Sequence, residues 1–298
     1  QVDFLFLKVD GDFEYLTGIR RQRLSATDAD QPGDYWFGAL IENGAGVTVV
    51  SPSMVSGYVK AQAAGKPYIK DVIFLPEHED ALPVLKSKIP QSKRKAKRIG
   101  VSKRLWAVTM LGLSEIFADA RFSDAGPMVN SLRRVKDAGE IKLMEHAGKI
   151  ADEVFYEVVK NLRVGVTEIE VARDIDYLMQ AKGAEGTSFV TGVTFEGTGK
   201  RDRAEIGRAE NVYLEPGMHI AFDFGCVYEG YCSDFGRTVY CGRPDAKRAE
   251  IHKLVMGAQD AGIAAMVSGK ARASEIDRVV RSKIDAAGYG EQFWDRLG

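Results

Sequence analysis

At 298 residues the chain is long enough for about two domains. Hydrophobic residues at 45% and charged residues at 28% mark a globular protein rather than a disordered or fibrous one. A formal net charge of -1 excludes an overall electrostatic pull toward nucleic acid or an anionic membrane.

Residues 2–8 alternate like a strand from the outset, which predicts a chain entered partway through an element. Residues 13–18 form a short second element ending at the turn glycine Gly18. Arg20, Arg21 and Arg23 follow it, with Tyr35 and Trp36 soon after; Arg20 and Arg21 are candidates to clamp a substrate carboxylate, against the alternative of a solvated loop. Strands are predicted at 35–41 and 47–51, joined by a tight Gly-containing connection, then a helix at 55–64 and a strand at 72–75. A helix at 81–88, a strand at 98–101 and a helix at 103–113 complete an α/β layered pattern. The basic run Lys93 to Arg98 has no interleaved aromatic residue, so it reads as a solvated loop and no nucleic-acid partner is expected.

The texture changes near Asp124–Pro127, which divides the chain into an α/β domain at 1–127 and a second domain at 128–298. From Asp137 apolar residues recur at three-and-four spacing in a long helix that stops near Leu162. Thr167 and Glu170 form a capping box that opens a second helix ending at Gly183. Strands at 187–193, 218–225 and 231–240, then helices at 245–267 and 274–287, make the second half α+β, with helices flanking an antiparallel sheet. No apolar run approaches the ~20 residues that span a bilayer, and no signal peptide is visible, so no membrane partner is expected. Cys226, Cys232 and Cys241 are odd in number and lack a CxxC spacing; they read as buried free thiols in a reducing, cytoplasmic setting.

The sharpest feature is Asp223 in one apolar strand and Asp234 in the next. If Val227–Gly230 closes a hairpin, the two aspartates fall directly opposite each other, with Cβ atoms about 4.5–5.5 Å apart. Two carboxylates that close must share a proton, find a cation or hold a metal. Oxygen ligands would favour manganese, magnesium or iron. The alternative is that Asp234 pairs with Arg237 and Asp223 merely ends a strand.

The residues around the pair carry a resemblance. Leu214-Glu215-Pro216-Gly217, Asp223-Phe224-Gly225, Gly230-Tyr231, Ser233-Asp234 and Arg237-Thr238 resemble the prolidase, aminopeptidase P and creatinase family. So do Leu132 to Lys136 before Glu140-Ile141, Gly165 to Glu168, and Gly183 to Phe189; Tyr15 to Gly18 and Arg98 to Val101 add a looser likeness. The resemblance implies an α+β pita-bread catalytic domain behind a smaller α/β creatinase-type domain. It implies an Xaa-Pro dipeptidase or aminopeptidase acting on small peptides. Two divalent ions, manganese first and cobalt, zinc or iron after it, would be held by Asp, Asp, His, Glu and Glu around a bridging hydroxide. Asp223 and Asp234 match the two aspartates, and a homodimer is implied as well. A creatinase-like hydrolase of a small C–N bond and a non-catalytic binding module of the same fold are the competing readings.

Two departures qualify the match. The family's Gly-His-Gly histidine and its two glutamates have no counterpart before Gly298, so the resemblance implies a catalytic domain incomplete at its C-terminus. No histidine lies between Val190 and Met218, where the family carries one; a charged, glycine-containing stretch at 196–205 stands there as an expected active-site loop. His219 shares the face of Asp223 but lies roughly 13 Å along the strand, so it is expected to be an ordinary hydrogen-bonded histidine.

Overall fold

The structure, a computed structural model, describes residues 2–20, 36–197 and 209–293. Arg21, Arg23, Tyr35 and most of the 196–205 stretch lie outside the described residues. The chain divides into two compact units, Gln1–Leu143 and Met144–Gly298.

The first unit runs β1 (Phe4–Lys8), α1 (Gly11–Thr17), β2 (Gly38–Glu42), β3 (Gly46–Pro52), α2 (Ser56–Ala63), β4 (Ile69–Leu75), α3 (Ala81–Lys88), β5 (Arg98–Val101), α4 (Ala107–Ile116), β6 (Arg121–Asp124) and α5 (Gly126–Arg133). The strands form one mixed sheet in the order β4-β3-β2-β1-β5-β6. Central β1 shows why: Phe4 and Phe6 enter one core with Leu85 of α3 and Leu113 of α4, while Leu5 and Leu7 enter another with Phe13, Val59 and Val129. Period-two alternation with both faces apolar buries a strand on both sides, giving three layers. The 13–18 segment is helix α1, because the Asp10 carboxylate caps the amides of Asp12 and Phe13 and Gly18 ends it at φ 65. In the basic run, Lys93 pairs with Glu42, Lys97 with Asp119 at 3.0 Å and Arg98 with Asp3 at 3.4 Å. The run is thus not the free solvated loop expected: Lys93–Lys95 form a 3-10 turn, Arg98 opens β5, and acidic partners tie its cations to the domain.

Helix α6 (Ala138–Asn161) carries the divide between the units. The second unit continues with α7 (Glu168–Ala181), β7 (Gly186–Thr187), β8 (Gly192–Glu196), β9 (His219–Phe224), β10 (Cys226–Tyr228), β11 (Tyr231–Cys232), β12 (Phe235–Tyr240), α8 (Ala246–Ala265) and α9 (Ala273–Ala286). Two antiparallel sheets form, β12-β9-β8 and β11-β10-β7. Ile150, Val154 and Val158 of α6 and Val171, Ile175 and Met179 of α7 pack on Val193, Phe195, Ile220, Phe222 and Phe224. The capping box forms, with the Thr167 hydroxyl accepting from Glu170 N and the Glu170 carboxylate accepting from Thr167 N. Among the described residues no helix is long and apolar enough to cross a membrane.

One buried charge braces this unit. Glu168 is fully buried, and its carboxylate accepts from Phe195 N at 2.6 Å and Glu210 N at 2.8 Å. It thereby joins the end of β8 to the strand-like segment that pairs with Thr167 at Tyr213. Glu168→Leu strips two amides of a charged acceptor and is expected to cost about 3 kcal/mol or more. Urea unfolding checks this: the midpoint should fall with little change in slope, and Glu168→Gln, which keeps one acceptor oxygen, should lose less.

Candidate metal centre

β9 is the middle strand of its sheet, and its alternation sorts the residues. Ile220, Phe222 and Phe224 are buried against the helices, whereas His219, Ala221 and Asp223 point to the open face. Asp223 is opposite Gly192 on β8 and Gly236 on β12. A glycine on each side leaves the carboxylate unscreened by neighbouring side chains; a Cβ added at Gly236 would meet nothing nearer than Phe222 O at 3.9 Å.

The register differs from the one read in the sequence. The hairpin closes through a two-residue loop, with Tyr228 opposite Tyr231 and Val227 opposite Cys232. Glu229 and Gly230 both have positive φ, 45 and 80, as a type I′ turn requires. The loop is therefore two residues shorter than Val227–Gly230, and Asp223 is opposite Gly236, not Asp234. Asp234 lies two positions before Gly236, outside the paired ladder but near enough for its charge to act on Asp223. It is exposed, in the short break between β11 and β12. Partial burial and then the Asp234 charge push the Asp223 carboxyl above its usual range.

That break is tightly tied. The Ser233 amide donates to Cys226 O at 2.9 Å, and the Ser233 hydroxyl accepts from Cys226 N at 3.0 Å. Ser188, just after β7, donates its amide to Gly225 O at 2.8 Å and its hydroxyl to Ser233 O at 2.8 Å. Gly225 permits this closeness, since a Cβ there would lie 2.0 Å from Ser233 O and 2.4 Å from Ser188 Oγ. Gly192, Gly236, Gly225, Ser188 and Ser233 were not singled out as site residues in the sequence; the available signal was their small size beside the aspartates.

The other candidates are placed as follows. Arg237 donates to Gly236 O at 2.7 Å and stacks 4.5 Å over Phe235, so it does not neutralise Asp234. His219 Nε2 lies 3.2 Å from Glu196 Oε2 across β8–β9, as expected of a strand histidine, although its Nδ1 is buried without a partner. His146 stacks on Tyr228 and His252 lies edge-on to Tyr240. Arg20 is tied to Glu14 at 3.1 Å within the first unit, and Arg21 lies outside the described residues. The three thiols are free but not all buried: Cys226 is buried, with burial raising its pKa, Cys241 is half-buried and Cys232 is exposed.

Among the described residues no group of three or more His, Cys, Asp or Glu is arranged to hold a metal. Asp223 and Asp234 nonetheless fit as part of a divalent-ion site. They are two hard oxygen donors on an open face, close enough for one charge to disturb the other, with no cation of the chain between them among the described residues.

Comparison with known proteins follows the same lines. The model of metallopeptidase family M24 matches residues 142–298, and that of the creatinase/prolidase N-terminal domain matches residues 1–135. An uncharacterised peptidase of Bacillus subtilis, YqhT, is 35% identical over 190 residues, covering 64% of this chain and 53% of that protein. The Xaa-Pro dipeptidase of Pyrococcus furiosus is 30% identical over 226 residues, 74% of this chain and 64% of its own length. The X-Pro aminopeptidase of Thermotoga maritima superposes with a TM-score of 0.79 at 27% identity, covering 97% of this chain and 77% of that one. The chain thus spans about half the length of YqhT.

Proposed function

The chain belongs to metallopeptidase family M24, with a creatinase/prolidase N-terminal domain ahead of the M24 segment, and on that premise we propose that the protein is a metal-dependent Xaa-Pro dipeptidase or aminopeptidase. Its fold is the pita-bread catalytic fold preceded by an α/β creatinase-type domain. The observation that carries the functional reading is the aspartate pair: two hard carboxylate donors near each other on the exposed side of the sheet, with no cation of the chain between them among the described residues.

Asp223 and Asp234 would help to hold two divalent ions, manganese first and cobalt, zinc or iron after it. When bound, the ions would polarise the scissile carbonyl and acidify water for attack on it. The residues of this chain provide the floor of the site. Gly192 and Gly236 keep it open beside Asp223, and Thr194 and Thr238 flank Ala221 along the same face, where a small peptide can lie. We read the protein as a cytoplasmic homodimer, on its free thiols and its likeness to the family.

The absence of a histidine between Val190 and Met218 favours one second reading, hydrolysis of a creatine-like C–N bond. The test is metal analysis of the full-length protein, followed by assay on Xaa-Pro dipeptides and creatine-like amides. Hydrolysis of Xaa-Pro bonds that stops on chelation and returns with Mn²⁺ is expected. Activity on the amides alone, or activity indifferent to chelation, would overturn the proposal.

A further inference from the structure

We propose that Ser188 is a positioning residue of the metal centre, setting the spacing of Asp223 and Asp234; the inference rests on the metal-binding reading above. Ser188, just after β7, bonds to the backbone beside both aspartates. Its amide donates to the carbonyl of Gly225, two residues after Asp223, at 2.8 Å. Its hydroxyl donates to the carbonyl of Ser233 at 2.8 Å. That carbonyl belongs to the peptide unit joining Ser233 to Asp234, so the hydroxyl fixes the plane from which Asp234 projects.

The tie is needed because the ladder fails at this point. β11 ends at Cys232 and β12 begins at Phe235; Ser233 still bonds to Cys226 of β10, but Asp234 itself lies outside both strands. An exposed aspartate in such a break would drift from its partner under their mutual repulsion. Gly225 completes the arrangement, since any side chain there would occupy the place of the Ser188 hydroxyl and the Ser233 carbonyl. A ligand held by backbone that is itself tied loses less freedom when the ion binds.

The test uses the full-length protein, Mn²⁺ as the probe and calorimetric titration as the readout. Ser188→Ala removes the hydroxyl, and Ser188→Cys keeps nearly the same shape with a much weaker donor, so packing survives in at least the second. Thr167→Ala, which loses a helix cap away from the aspartates, controls for destabilisation alone. Both Ser188 variants should bind Mn²⁺ on the order of 10-fold more weakly, with a smaller Mn²⁺-induced rise in Tm, while Thr167→Ala keeps the wild-type affinity. Wild-type affinity in either folded Ser188 variant would overturn the inference and leave the metal reading standing. Failure of the wild type itself to bind Mn²⁺ would instead overturn the metal reading.

Discussion

Asp234→Asn in the full-length protein is expected to lower metal-dependent Xaa-Pro hydrolysis on the order of 10³-fold, a loss of about 4 kcal/mol of transition-state stabilisation. The same change should leave the metal-free protein at least as stable as the wild type. These two effects have one cause. Asp234 is exposed, and among the described residues it makes no ion pair, so the fold gains little from its charge. That charge acts instead on Asp223, whose carboxyl it helps to raise. Asparagine keeps the shape, removes the charge and gives up the anionic oxygen that a hard divalent ion favours. Activity assays and thermal unfolding with and without Mn²⁺ check both halves. The expected pattern is an unchanged or higher metal-free Tm, a lost Mn²⁺-induced increment and lost turnover. A variant that keeps full activity would show that the pair does not hold the ion.

The elements set by periodicity were legible. The α3 and β5 ranges match those read from alternation and apolar spacing, and the Thr167 capping box marked the start of α7. The site was legible as far as its two acidic residues and their motifs. Its geometry was not, because register depends on the turn. Glu229 is a poor sequence marker for positive φ, a conformation usually given to Asn, Asp or Gly, so the hairpin read as having a longer loop. That two-residue difference took Asp234 out of the position opposite Asp223, which Gly236 holds instead. The break at Ser233 was hidden for a related reason. Residues 231–240 read as one strand, whereas the ladder lapses at Ser233–Asp234, where Ser188, 45 residues away in sequence, bonds Ser233 O. Such ties leave no periodic trace.

Gly225→Ala is expected to be among the most damaging single changes in the second unit, costing about 3 kcal/mol or more. A Cβ at this position would sit 2.0 Å from Ser233 O, 2.4 Å from Ser188 Oγ and 2.9 Å from Ser233 C. Two of these three atoms belong to backbone, so no rotamer change can relieve the clash; the strands must part. Parting them breaks or strains four hydrogen bonds at once, Ser188 N to Gly225 O, Ser188 Oγ to Ser233 O, Ser233 N to Cys226 O and Cys226 N to Ser233 Oγ. Cys226 and Phe224 on either side are fully buried, so the backbone has little room to yield toward the core. Gly236→Ala is the informative contrast. A Cβ there meets only Phe222 O at 3.9 Å, and alanine restricts the unfolded chain, so its stability should stay within about 0.5 kcal/mol of the wild type. Urea unfolding of both variants checks the pair. Equal midpoints would mean that the close approach at Gly225 is not what holds the hairpin, whereas a large loss at Gly225 alone would place the mechanical centre of the site at the backbone behind Asp234.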